Sequence, residues 1–465
     1  MGLAGLLGGL MLILQARHSD RLAWLLVSLC CFSASLGKFS DNFITEPPAL
    51  VFPLQQLREA GRPLTVVLMG LIIIIALLRP VRSSRQHFIP RPIIFIGLVQ
   101  LVIFLKTLLF GDILFAFLAG LTFIGVVLMV TMGPRRWLEE EQGFERATRA
   151  IVMVGIIFVL ANSYQAFFDI YPITFHHGQL LGTTGNPQFA AILLAVTIPS
   201  LLFLVEQPNT GIKAKFFWLG VLAIVMLALV LTGSRTGWLM GGITFFLFYR
   251  SKFGHLLRLG MLVAIVFAIF FYLFGQNFSS FETTLASAAN KLFYGTNSRQ
   301  EIWSILWRNF LDHPLFGVPL RGDRLFGYGE NSWLGAAAAL GIMGLTPLLL
   351  FGVSSGSMIL RLYRLSGQTR LLFLQSSTVI AGLTSLLIGS IFEPFLLGNV
   401  TFSLIALFLY LSLGQHILNA AHKNVATTQY VYGIPPTDGG AHSHSEQARS
   451  APWKSRKTFR PHPRV

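Results

Sequence analysis

The chain is cut into apolar blocks about as long as a bilayer is thick, and that leaves it very little choice of fold. A helix needs roughly 20 apolar residues, or a few less, to cross the hydrocarbon core. Blocks of this kind lie at 1–15, 22–37, 64–78, 93–110, 112–132, 150–167, 188–205, 216–232, 236–249, 259–275, 332–354, 371–391 and 399–417. They are continuous, not alternating or heptad-patterned, which excludes a β-barrel. The first is short, so the expectation is an all-α polytopic membrane protein with 12 or 13 transmembrane helices. Composition agrees. Charged residues make up 12% of the chain, about half of what a soluble domain carries, and mean hydropathy is +0.66. A soluble enzyme and a nucleic-acid-binding protein are excluded.

The net charge of +16 therefore calls for an explanation other than nucleic acid. Loops around 16–21, 79–92, 133–149, 206–215, 250–258 and 361–370, with the tail from 418, hold 25 Lys and Arg, and the other side holds 10. Cytoplasmic loops carry such an excess, so these segments are expected on the cytoplasmic side. Cys30 and Cys31 are adjacent in an apolar run and lack metal-ligand spacing. No cleavable signal peptide is evident, because residues 1–15 lack a basic start and a small-residue cleavage site. The expected organisation is N-terminal transmembrane helices over 1–149 and a catalytic membrane region over 150–420. A disordered basic cytoplasmic tail over 421–465 completes it, and its basic residues could touch anionic headgroups.

The opposite, periplasmic side has three informative loops, 38–63, 168–187 and 276–330. The last is the longest and carries a helical pattern, so it is expected to be ordered. Ser298 and Glu301 have capping-box spacing, and Ile302, Trp303, Leu306, Trp307 and Phe310 follow on one face before Asp312-His313-Pro314. This spacing predicts an interfacial helix with its tryptophans at headgroup depth. Arg299 falls at its first position, where free backbone N–H groups favour an anion. A guanidinium there suits a phosphate, although pairing with Glu301 or with a lipid headgroup is the ordinary alternative.

Three more polar clusters interrupt the apolar runs. Thr232-Gly233-Ser234-Arg235-Thr236-Gly237 links two spans, and Arg235 is its one charge. Ionisable residues at membrane depth are costly and mark function more often than packing, with snorkelling as the alternative. Gly182-Thr183-Thr184-Gly185-Asn186-Pro187-Gln188 places Asn186 as an N-cap and Pro187 at the first helical position. Its glycines would let backbone amides approach a diphosphate, or serve only as a tight loop. Tyr328-Gly329-Glu330-Asn331-Ser332-Trp333 puts the Glu330 carboxylate at a membrane edge, suited either to a general base or to the positive end of a helix. No metal is expected. His176, His177 and His313 are the histidines on this side, and His176-His177 lacks the spaced carboxylates of a metal site.

Read in order, T-G-N-P-Q-F-A, L-T-G-S-R-T-G, N-S-R-Q-E-I-W, H-P-L-F-G-V, E-N-S-W-L and A-L-G-I-M-G-L resemble the O-antigen ligase and polymerase family of bacterial membrane glycosyltransferases. The resemblance covers about residues 150–400. It implies transfer of a glycan from undecaprenyl diphosphate to an acceptor hydroxyl on the periplasmic face of the inner membrane, without metal, nucleotide or other cofactor. In the favoured ligase branch the acceptor is lipid A–core. Arg235 and Arg299 match the family's diphosphate-binding arginines. The family usually has His-Asn where this chain has Glu330-Asn331, so Glu330, His176 or His177 is left to act as base. The expected catalytic set is Glu330, Arg235 and Arg299. The expected substrate-binding set is Asn186, Ser234, Asn331, Trp303, His176 and His177. Expected partners are the lipid-linked donor, the glycan acceptor and membrane lipids. A direct displacement would invert the anomeric configuration. A polysaccharide polymerase and a protein O-oligosaccharyltransferase are the alternatives within the family. A transporter is the alternative outside it, and the absence of an internal repeat counts against that.

The charge asymmetry makes a topological prediction. A cysteine placed at position 285 should react with a membrane-impermeant reagent applied from the periplasm, and one at position 366 should not; the reverse pattern would overturn the orientation.

Overall fold

A computed structural model of the chain describes residues 11–36, 48–79, 89–140, 142–175, 177–208, 210–251, 254, 260, 299–319, 331–397 and 400–432, with side chains up to 421. Glu330, His176, Ser298, the expected span 259–275 and the loop at 276–298 lie outside the described residues, as does the tail beyond 432.

Twelve long helices are described: α1 Asp20–Ser35, α2 Gly61–Leu78, α3 Arg91–Phe110, α4 Ile113–Met132, α5 Gly143–Phe168, α6 Pro187–Glu206, α7 Ile212–Leu231, α8 Arg235–Phe248, α9 Arg299–Asp312, α10 Ser332–Leu365, α11 Arg370–Phe392 and α12 Phe402–Tyr432. Among the described residues, nine helices are long and apolar enough to cross a membrane. The chain is thus an all-helical, multi-pass membrane protein. α1 and α8 occupy expected spans but have only 16 and 14 residues. At 1.5 Å per residue α8 covers about 21 Å, well short of a typical hydrocarbon core.

Local chemistry sets the boundaries. Ser19, Asp112, Asn186, Ser234, Asn331 and Thr369 each cap a helix by accepting a hydrogen bond from a backbone N–H of its first turn. These bonds satisfy donors that a helix start otherwise leaves without a partner. At the other extreme, α12 runs beyond the expected span end at 417 to Tyr432. Gly433 and Pro435-Pro436 are the first helix-breaking residues it meets.

The core forms around α6. Its sequence PQFAAILLAVTIPSLLFLVE has apolar residues on every side, as a helix surrounded by others must. It packs on α5, α7, α8 and α11. Tyr410 of α12 is fully buried and donates to Val196 O at 2.9 Å, with Ser200 Oγ 3.0 Å away. α1 and α2 pack together, α3 lies along α10, and α9 lies against α10.

The polar loops gather at two ends of the bundle. One end is rich in cations. There Arg79 joins Asp20 at 3.1 Å and Glu140 at 3.4 Å and covers the Trp137 ring. Arg146 pairs with the same two acids. Burial and the neighbouring Asp20 push the Glu140 carboxyl up to about 6, against the pull of both arginines. Arg250 donates to Ser377 Oγ and Ser366 Oγ at the same end. Ser366 is therefore buried, and the exposed Gln368 beside it is the better labelling position.

Candidate active site

The other end gathers the four polar clusters. α6, α8, α9 and α10 all begin there, so four helix N-termini share it. Each brings free N–H groups and the positive end of a macrodipole.

Asn186 caps α6 by accepting from Gln188 N at 2.8 Å, with Pro187 at the first helical position. The loop before it is tied down twice. Leu180 N donates to Leu231 O at 2.9 Å, and Thr183 N donates to Asn162 Oδ1 at 3.0 Å. Ser234 caps α8 by accepting from Gly237 N at 3.3 Å. The polar turn at 232–236 sits beside α6 because residue 237 is glycine: an added Cβ would lie 2.5 Å from the Ala191 Cβ. Any side chain there would push the turn away. Ser234 and Thr236 are buried, and Arg235 is exposed between them.

Arg299 opens α9, as the capping-box spacing predicts. Its Nη1 donates to Thr236 Oγ1 at 3.0 Å, and its Nη2 reaches Glu393 Oε1 at 2.7 Å. Its guanidinium also stands 5.5 Å from the Phe392 ring centre, and Trp303 lies tilted against the same ring at 5.9 Å. Arg299 thus contacts the residue that follows Arg235 in the chain.

Glu393 follows α11, and its side chain is 2% exposed against 18% for Arg299. Its backbone is fixed as well: Ser332 Oγ donates to Glu393 O at 2.6 Å and accepts from Leu396 N at 3.3 Å. Asn331 caps α10 by accepting from Trp333 N and Leu334 N at 2.8 and 3.0 Å. Trp333 Nε1 donates to Ser390 Oγ at 2.9 Å. One chain of contacts therefore runs from Arg235–Thr236 through Arg299 and Glu393 to Ser332 and Asn331.

Asn186, Ser234 and Asn331 use their side-chain acceptors as helix caps, which leaves the Nδ2 donors of the two asparagines unspent by capping. His177 is exposed in the loop before α6, with left-handed backbone at φ 54. A helix forms over Arg299–Asp312, as the spacing predicts. Leu306 is buried toward the bundle, while Ile305, Trp307 and Leu311 are exposed, which suits α9 to a lipid interface.

The sequence reading missed Glu393. Its signal was present. Glu393 is the one Asp or Glu between 331 and 437, and it stands between the spans 371–391 and 399–417. A lone acid at a membrane edge needs a cation, and Arg299 supplies it.

Residues 219–349 match the family model described as O-antigen ligase. Over this stretch the chain is similar to the O-antigen ligase family. The stretch includes Arg235, Arg299 and Asn331 and runs into α10. Asn186 and Glu393 lie outside it, and the structure joins them to it. No curated protein matches the chain. The similarity points toward glycosyltransferases of O-antigen ligase or polymerase type.

The Arg299–Glu393 pair makes a stability prediction. Removing one partner of a buried pair leaves an uncompensated charge and costs about 3–5 kcal/mol. Glu393→Ala and Arg299→Ala should each lower the thermal midpoint in detergent. The double variant should recover much of the loss, because neither charge is then left alone. Additive losses would mean that the two side chains are not coupled.

Proposed function

We propose that this end of the bundle binds a lipid-linked glycosyl diphosphate and transfers its glycan to an acceptor hydroxyl on the periplasmic face of the inner membrane. The observation that carries the proposal is that Arg299 bonds Thr236, the residue after Arg235, beside the N-termini of α8 and α9. That arrangement suits a diphosphate, which needs cations and N–H donors and brings an apolar tail. Undecaprenyl diphosphate is the donor carrier the family resemblance points to, and lipid A–core is the acceptor of its ligase branch.

The chemistry follows from these groups. The acceptor oxygen forms a bond to the anomeric carbon while the bond from that carbon to the diphosphate oxygen breaks. The leaving oxygen keeps the electron pair, and the fixed positive groups stabilise the charge that builds on it. The acceptor proton goes to a base. Glu393 is engaged as the counter-ion of Arg299, which leaves Glu330, next to the Asn331 cap, as the carboxylate proposed for this role. A single displacement of this kind inverts the anomeric centre. Asn186, Ser234 and Asn331 hold the N–H groups in place, and Trp303 supports the guanidinium through Phe392. His177, with its neighbour His176, is the second proposal for the base.

Two arginine variants separate binding chemistry from folding. Arg235→Ala should reduce transfer about a hundredfold, a loss of roughly 3 kcal/mol of charge stabilisation, with normal accumulation in the membrane. Arg299→Ala should lose activity and stability together, since it strands Glu393. Lysine should rescue either poorly, lacking the planar fork. Glu330→Gln should lose on the order of a hundredfold, and Glu330→His should retain measurable transfer. The measurement is turnover of a lipid-linked glycan by reconstituted protein. Full activity of Arg235→Ala would remove that residue from the mechanism, and full activity of Glu330→Gln would pass the base role to the histidines.

A further inference from the structure

α10 is not one helix. At Gly341 the backbone leaves helical geometry, with φ 63 and ψ −155. The half-helix from Ser332 to Leu340 ends there and exposes carbonyls at its negative end. The segment after α9 fills the gap with backbone alone. Val318 N donates to Ala338 O at 2.9 Å, and Ile342 N donates to Pro314 O at 2.8 Å. Gly317 and Gly341 permit this approach. A Cβ on Gly317 would lie 2.3 Å from the Ala339 carbonyl carbon, and one on Gly341 would lie 2.4 Å from Leu315.

Into this junction α3 sends a lysine. Lys106 Nζ donates to Phe316 O at 2.6 Å, Val318 O at 2.7 Å and Ala339 O at 2.6 Å. An ammonium has three donors, and all three are used. The lysine sits in an otherwise apolar span, where an ionisable residue needs a specific partner. Its own sequence block gives no hint of this role, and it lies outside the stretch that matches the family.

The geometry explains what the clamp could control. α9 has 14 residues, so Arg299 stands about 20 Å from the clamped end. The half-helix places Ser332 about 13 Å from the same junction. The Arg299–Glu393–Ser332 contacts close the third side of the triangle. We propose that Lys106 is a positioning residue: by holding the exit of α9 to the C-terminal end of the half-helix, it sets where Arg299 lies relative to Ser332 and Asn331. The catalytic consequence rests on the transfer reaction proposed above. The mechanical one does not.

The test measures both. Spin labels at Glu301→Cys on α9 and Phe167→Cys at the outer end of α5, in a Cys30→Ala, Cys31→Ala background, report the placement of α9 by pulsed electron resonance. Wild-type Lys106 should give one narrow distance distribution, and Lys106→Met a broadened or displaced one. In reconstituted protein, normalised to folded material, Lys106→Met should lower kcat by about tenfold to a hundredfold, because a 1 Å misplacement of a reacting group has an effect of that size. KM for the lipid-linked donor should change less than about threefold, a split that mere loss of folded protein does not produce. Lys106→Arg keeps the charge but offers a planar fork, and should fall between the two. It also serves as the readout if the methionine variant fails to fold. An unchanged distance distribution in the variant overturns the proposal whatever the rate does, and so does a broadened distribution with unchanged kcat. If the wild type transfers no glycan, the transfer reading fails, while the distances still decide whether Lys106 places α9.

Discussion

A carboxylate buried at the edge of a membrane cannot remain charged without a cation beside it, and the outer end of this bundle is organised around that requirement. Glu393 is almost completely covered and Arg299 is its partner. Because Arg299 is the first residue of α9, the pair fixes that helix to the end of α11. Because Ser332 holds the Glu393 backbone, the same point fixes the start of α10. Because Arg299 also bonds Thr236, it fixes the start of α8. Segments distant in sequence are thus registered by one ion pair and its immediate hydrogen bonds.

The proposed anion site draws on the positive groups gathered at this end. Glu393 balances one guanidinium. Arg235 and the N-termini of α6, α8, α9 and α10 add to it. On the proposed transfer reading, an anion entering there meets donors already in place, so little reorganisation is needed when negative charge builds on a leaving group. Side chains such as Asn186, Ser234 and Asn331 serve this indirectly. As caps they hold the first turns rigid, and the N–H groups beyond them stay oriented.

How much of this was legible in the sequence depends on range. Helix positions followed from the apolar blocks, and the start of α6 followed from Asn186 and Pro187, because both are set by residues within a few positions of each other. The start of α9 at Arg299 and its end at Asp312 were readable for the same reason. The partner of Arg299 was not: Thr236 and Glu393 lie 63 and 94 residues away, and only tertiary packing brings them in. Lys106 was hidden for a related reason, since its partners are backbone carbonyls, which leave no mark on a sequence. The break at Gly341 lies within a run of small residues, and the junction it forms appears only with Pro314 and Val318 beside it.

The central claim is that the site holds a lipid diphosphate through Arg235 and Arg299. Native mass spectrometry of the purified protein with undecaprenyl diphosphate and undecaprenyl monophosphate tests it without depending on the acceptor. The account predicts that the wild type retains the diphosphate in preference to the monophosphate. Retention should fall about tenfold or more in Arg235→Ala and in the charge-balanced Arg299→Ala, Glu393→Ala variant, since a hydrogen bond to a charged group contributes about 1.5–3 kcal/mol. Equal retention of the diphosphate by the wild type and both variants would contradict it.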